Sequence, residues 1–282
     1  MSAVPAAWSG LVDDAAIFPP GDMSLPDALT AYREHHDQWY ADLVGPLVVR
    51  DTDLPQVDPD VPVSVVLTGG AGAVSGVASL AAKKGNRLVG VEAAVRDLDD
   101  PAGNVRRIVT AVDAARENGT LADTRVYVEL PQIDPTPDWL AAADAVAASE
   151  HRLKLRTGGV EAHLFPAPAT VAAWIDAALD RETSFKCTAG LHHAVRHRDH
   201  ETGFEHLGFL NVLLATRVAF DGATVSEVAQ VLDDHYANDL VALARQSDLE
   251  GARRWFTSYG SCSVTEPLDE LVGLGLLEAP HE

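Results

Sequence analysis

Short runs of aliphatic and β-branched residues alternate along this chain with longer, Ala-rich stretches whose apolar positions recur at helical spacing. The short runs predict eight strands, at residues 11–18, 46–50, 63–68, 88–95, 125–130, 152–156, 184–188 and 256–261. Between them the pattern predicts helices over 74–84, 101–118, 137–149 and 168–180, most of them opened by Pro or a small polar residue. Ser24, with Asp27 three residues on, caps a further helix that runs to about residue 43.

Strands of this length separated by helices of 10 to 20 residues are the pattern of βαβ units, and right-handed crossovers make such strands parallel. Eight of them close a (β/α)8 TIM barrel. The other arrangement of such units, an open doubly wound sheet, usually carries a glycine-rich phosphate loop after its first strand. Here that position reads FPPGD, without GxGxxG. One stretch departs from the rhythm: helical segments at 204–220 and 225–245 both lie between the seventh and eighth strands. They read as an insertion of about residues 204–246 on a single domain spanning 1–282.

Composition narrows the partners. The chain has 282 residues, 47% of them apolar, and 42 acidic against 21 basic side chains, a formal net charge of -21. So acidic a surface excludes general nucleic-acid binding, which depends on Lys and Arg neutralising phosphates. No apolar run is long enough to cross a bilayer, and no secretory leader opens the chain. Two cysteines, Cys187 and Cys262, are too few for a disulfide framework or a cysteine zinc site. A cytoplasmic protein with a small-molecule substrate, and no nucleic-acid or membrane partner, is expected. The apolar faces of 204–220 are wide enough for a homo-oligomer contact or for covering the barrel.

In a (β/α)8 barrel the chemistry sits at the C-terminal ends of the strands. Lysine occurs only at 83, 84, 154 and 186, among 21 basic residues. Lys83 and Lys84 end a helix, where cations suit the dipole. Lys154 and Lys186 lie inside strands. In RLKLR the period of two sets Lys154 and Arg156 on the face opposite Leu153 and Leu155; Lys186 and Thr188 likewise share a face. With the leucines against the helices, the cations point into the lumen. A desolvated lysine beside another cation loses its proton more easily and becomes a nucleophile toward carbonyls. Glu129, or His192 just after the seventh strand, can move protons. A structural ion network joining the lysines to Glu92 or Glu129 is the competing expectation.

KLRTGG, then FKCTAG 32 positions on, and YGSCS on the last strand resemble the deoxyribose-phosphate aldolase group of class I aldolases. The resemblance covers about 110 residues of the C-terminal half. It implies a Schiff-base role for Lys154, an assisting role for Lys186, and phosphate-binding positions at Gly190, Gly260 and Ser261. Arg156 stands where that family has a small hydroxyl residue. The family's N-terminal half and its strand aspartate have no counterpart here, and the two-helix insertion is foreign to it. Beside this resemblance, Arg156, Thr157 and Gly158 are candidates for holding an anionic group. The expected activity is carbon–carbon bond chemistry on a small anionic carbonyl compound, without a cofactor.

The loop GLHHAVRHRDH supports a second expectation. His192, His193 and His197, with His200 and His206 beyond, fall within 15 residues, and imidazoles are common ligands of divalent transition metals. A metal-dependent lyase or hydrolase is the alternative this loop suggests. A third is a non-catalytic binding protein for an acidic metabolite.

Overall fold

A computed structural model describes residues 4–280. Eight parallel strands close into a barrel: β1 (Val12–Asp14), β2 (Val44–Arg50), β3 (Val63–Val66), β4 (Leu88–Ala94), β5 (Arg125–Glu129), β6 (Arg152–Arg156), β7 (Phe185–Thr188) and, after a two-stranded hairpin of β8 (His197–Arg198) and β9 (Glu205–His206), β10 (Phe256–Ser261). β10 pairs with both β7 and β1, which leaves no free edge. The helices follow in order: α1 (Leu25–His36), α2 (Val74–Lys84), α3 (Pro101–Glu117), α4 (Pro137–Ala148), α5 (Pro168–Asp180), α6 (Phe209–Phe220), α7 (Val225–Asp233), α8 (Ala237–Gln246), α9 (Leu249–Arg253) and α10 (Thr265–Gly273). The (β/α)8 TIM barrel expected from the sequence is the observed fold. No helix among the described residues is long and apolar enough to cross a membrane.

Local chemistry sets the helix ends. Thr136 accepts from the Trp139 amide ahead of Pro137 to start α4, and Asp100 accepts from Gly103 ahead of Pro101 to start α3. α2 buries Val74, Val77, Ala78 and Ala81 along one face and stops at Gly85, whose φ of 74° is left-handed.

Three boundaries differ from expectation for identifiable reasons. β1 ends at Asp14 because the chain turns at once: Phe18 donates its amide to the Ala15 carbonyl. α1 ends at His36, where the Asp37 amide reaches the carbonyls of Arg33, Glu34 and His35, and only a 3-10 turn at Ala41–Leu43 remains of the rest. The helix expected over 225–245 is two, since the Asp234 carboxylate accepts from the Tyr236 amide in an Asx turn that breaks it.

The stretch between β7 and β10 also corrects the picture of a two-helix insertion. α6 is buried without interruption from Phe209 to Thr216 and packs on α5, α7, α9 and β10, with Phe209 stacked 5.3 Å from Tyr259. It is the barrel's own crossover helix, and its apolar residues from Phe209 to Ala215 cover the barrel. The additions are the hairpin, α7, α8 and the short α9. Asn211 ties them down: fully buried, it accepts from the Arg196 amide and donates to the carbonyls of Val231 and Asp234.

Around the barrel, the outward-facing strand positions are apolar and sealed by helices; Val63, Val65, Val91, Val126, Val128, Leu153 and Leu155 are all buried. The lumen is different. TIM-barrel interiors are usually filled by bulky branched side chains, whereas here the interior carries Asp13, Ser64, Gly90, Glu92, Lys154, Lys186 and Ser258.

Asp14, next to the lumen carboxylate, is buried and accepts only the Ala16 amide. Burial pushes its pKa up to about 6 from 3.8. A raised pKa means the folded state favours the protonated form, so this contribution is complete in acid and disappears as pH rises. Relative to Asp14→Asn, the wild type is expected to lose about 3 kcal/mol between about pH 4 and pH 7. Urea unfolding across that range measures it; parallel pH curves for the two proteins would contradict the assignment.

Candidate active site

Lys154 and Lys186 sit on neighbouring strands in register, Lys154 opposite Lys186 and Glu129 opposite Lys154. Their side chains turn inward and meet carboxylates from across the lumen. Lys186 Nζ lies 2.5 Å from Asp13 Oδ2 and 2.7 Å from Glu92 Oε1. Lys154 Nζ lies 2.8 Å from Glu92 Oε2 and 2.9 Å from Glu129 Oε2. The other oxygen of Glu129 accepts from Arg156 Nε at 2.8 Å. The result is one chain of alternating charge: Asp13, Lys186, Glu92, Lys154, Glu129, Arg156. Two hydroxyls complete it, with Ser258 donating to Asp13 at 3.0 Å and Ser64 to Glu92 at 2.6 Å.

Strand positions explain the path. Asp13, on β1, and Ser258, near the start of β10, lie toward the N-terminal end of the barrel. Glu129 and Arg156 are the last residues of β5 and β6. Side-chain exposure is 5% for Asp13 and rises outward from Lys186, at 1% for Lys186, 2% for Glu92, 4% for Lys154, 14% for Glu129 and 37% for Arg156. Only the last pair meets solvent at the C-terminal mouth. Beside it, Val66, Ala94 and Thr188 end their strands half-buried, and Gly260 leaves ordinary contact distance to Thr188. Arg50 ends β2 with its guanidinium 4.7 Å from the centre of the Phe18 ring. The mouth therefore has two arginines over a floor of small residues.

The charge states follow from the pairing. Burial alone would lower the lysine pKa values, and Lys186 lowers that of Lys154 further, but the carboxylates on either side outweigh these effects and raise Lys154 and Lys186. This corrects the expectation that the pair depresses its own pKa values: at rest both are ammonium ions. Glu92 and Glu129 are held below the ordinary carboxylate range against the cost of burial, by Lys154 and Lys186 for the first and by Lys154 and Arg156 for the second. Asp13 is the exception, since burial lifts its pKa despite Lys186.

Other candidates have different duties. The Thr157 hydroxyl donates to the Ala189 carbonyl at 2.7 Å and its amide to Thr188 at 2.9 Å, so it clasps two loops and has no donor left for an anion. Gly158 and Gly190 touch: a Cβ on Gly158 would stand 2.8 Å from the Gly190 Cα, and Gly190 has a φ of 79°. Close passage of these loops accounts for both glycines. Ser261 is buried, and its hydroxyl accepts the Ser263 amide.

His192 stands at the rim and does not reach the lysines. Its Nδ1 is 3.1 Å from Glu266 and 3.8 Å from the Cys262 sulfur. The sulfur is almost as near the other ring nitrogen, 3.9 Å from Nε2, while Glu266 lies against Nδ1. Burial and Glu266 also push the Cys262 thiol up, away from thiolate. His193 is engaged by Glu270 and meets the His197 ring edge-on at 4.2 Å. The expected metal site is not assembled: among the described residues no group of three or more His, Cys, Asp and Glu side chains is placed to hold an ion.

Asp13, Glu92, Ser64 and Ser258 complete the site. Glu92 had a signal in the sequence, the single charge in LVGVEAAV, two residues after Gly90 and thus on its face. Asp13 shares its strand with Asp14, and the sequence does not say which faces inward.

No protein-family model matches this chain, and a search of curated proteins finds no match either.

Removing one member of a buried ion network leaves its partner charged and alone. Glu92→Gln is therefore expected to cost about 3–5 kcal/mol in chemical denaturation. Arg156→Leu, at the solvated end, is expected to cost less than about 1 kcal/mol. Equal losses would show that the network is not graded by burial.

Proposed function

We propose that this barrel is an enzyme acting on a small carbonyl compound that carries an anionic group, and that it makes or breaks a carbon–carbon bond through an imine on Lys154. The observation that carries this reading is the position of the Lys154 ammonium, one contact below a mouth guarded by Arg156 and directly bonded to a carboxylate, Glu129, that can take its proton.

The resting ammonium has no lone pair to attack with, so the proton must leave first. Glu129 is a poor base while Arg156 holds it. An anionic group entering the mouth competes for Arg156, and each contact Glu129 loses to that anion raises its own pKa. Glu129 then takes a proton from Lys154 Nζ, and the free amine adds to the substrate carbonyl carbon. The nitrogen of the adduct passes a second proton to the alkoxide, and Glu129 returns the first to the resulting hydroxyl, which leaves as water as the iminium forms. Glu129 then takes the proton of the substrate's β-hydroxyl, that carbon leaves as a second carbonyl compound, and the electron pair of the broken carbon–carbon bond moves into the iminium, giving an enamine. Protonation of the enamine carbon and addition of water release product and restore the amine. In the condensation direction the same enamine attacks a second carbonyl.

Lys186 has no direct part in these steps. It holds Oε1 of Glu92, so that Oε2 remains fixed on Lys154 and the nitrogen keeps its place when its proton moves. Glu129 is favoured over His192 as the proton carrier because it touches the nitrogen.

Borohydride reduction in the presence of pyruvate, glyoxylate or glyceraldehyde 3-phosphate tests the proposal. A reduced adduct is expected on the Lys154 peptide with at least one of them. It should be absent in Lys154→Arg, and Arg156→Leu should need about tenfold more substrate for half-maximal trapping. An adduct confined to the surface lysines, Lys83 and Lys84, would overturn the reading. So would binding of these compounds without trapping, which would indicate a binding protein for acidic metabolites.

A further inference from the structure

The opposite end of the lumen is open as well. Beneath the charge chain, on the N-terminal face, lies a cavity of about 190 Å³ walled in part by Asp13, Ser64, Tyr127 and Ser258, with Arg125 at its rim. That is room for about six waters at their liquid volume. The space exists because the positions that would fill it are glycines: a Cβ on Gly45 would come within 2.2 Å of Asp13 Oδ1, and one on Gly90 within 2.4 Å of Ser64 Oγ.

Two features give this cavity a chemical preference. At its base, Asp13 directs Oδ2 to Lys186 and Ser258, while Oδ1 has no hydrogen-bond donor among the described residues. A ligand with a hydroxyl can donate there. At its rim the chain gathers arginines: Arg87 immediately precedes β4, Arg125 begins β5 and Arg152 begins β6. Arg152 rests against Tyr127, its guanidinium 5.9 Å from the ring centre. Arg87 and Arg125 are exposed and make no ion pair among the described residues, in a protein with twice as many acidic as basic side chains. Uncompensated cations above an acceptor-bearing cavity fit a ligand with an anion at one end and a donor at the other.

We infer that the N-terminal mouth of the barrel is a second small-molecule site, which takes a compact hydroxylated acid with its anionic group on Arg125 and a hydroxyl on Asp13 Oδ1. The site is separate from the Lys154 mouth and does not depend on the imine chemistry. The two share only the buried charge chain, of which Asp13 is the inner end.

Isothermal titration of the whole protein with glycerate and with glycerol 3-phosphate tests this and tells a carboxylate from a phosphate ligand. Propionate, which lacks the hydroxyl, and glycerol, which lacks the charge, serve as controls. One of the two acids is expected to bind at least about tenfold more tightly than either control. Arg125→Glu should weaken that binding about tenfold or more. Arg156→Leu, at the other mouth, should leave it unchanged, as should Arg106→Glu, which makes the same change in charge on the outer helix α3. Absence of binding at millimolar concentrations, equal binding of the controls, or loss through Arg156→Leu but not Arg125→Glu would overturn the inference.

Discussion

Six charges of alternating sign, threaded through the interior of a closed sheet, set the terms for the rest of this molecule. A carboxylate or ammonium withdrawn from water is strongly destabilising unless an opposite charge and hydrogen bonds replace the lost hydration. Glu92 shows how fully this is met: fully withdrawn from solvent, it has Lys186 on one oxygen and Lys154 on the other, with Ser64 adding a hydroxyl. None of the buried members, Lys186, Glu92 and Lys154, can be altered without exposing its neighbours to the same deficit. The lumen also cannot be filled with branched aliphatic side chains while it holds these groups, which is why glycine and serine occupy positions that face them.

The same chain gives the barrel two unlike ends. At the C-terminal mouth the charges emerge into solvent as Glu129 and Arg156, and the pairing there is loose enough for a visiting anion to disturb. At the N-terminal end they stop at Asp13, whose second oxygen faces a cavity. From Lys186 outward to Arg156, each charge is better hydrated and less dependent on its partners. Reactivity belongs at such a solvated end, because a proton held between two buried opposite charges has nowhere lower in energy to go. On the mechanism proposed above, a lysine tightly paired at rest remains compatible with nucleophilic chemistry, because the carboxylate that holds its proton is also the group that would take it.

Much of the fold was legible in the sequence, and for a simple reason. Period-two alternation in RLKLR and helical spacing in 74–84 and 168–180 reflect local geometry, and the strand at Arg152–Arg156 and the helices at Val74–Lys84 and Pro168–Asp180 match expectation residue for residue. The inward direction of Lys154 and Lys186 followed from the same alternation. Their protonation did not. It depends on carboxylates from β1, β4 and β5, and nothing local to KLRTGG or FKCTAG reports that Asp13 and Glu92 lie across the lumen. Thr157, Gly158 and Gly190 have a packing role that the sequence does not separate from anion binding. Hydroxyls and glycines at strand ends serve loop packing as readily as ligand binding, and only the close approach of the two loops distinguishes them. For 204–220 the sequence leaves two uses open, because a helix that covers the barrel and one awaiting a partner have the same apolar pattern.

The central claim is that Lys154 and Lys186 rest as ammonium ions held by flanking carboxylates. Nitrogen-15 NMR of the lysine Nζ groups through a pH titration tests it directly, with Lys154→Arg and Lys186→Arg assigning the signals. The account expects both buried nitrogens to stay protonated beyond about pH 10.4, the ordinary lysine value. A buried lysine that loses its proton near neutrality would contradict the account and show that the two cations repel each other more strongly than the carboxylates hold them.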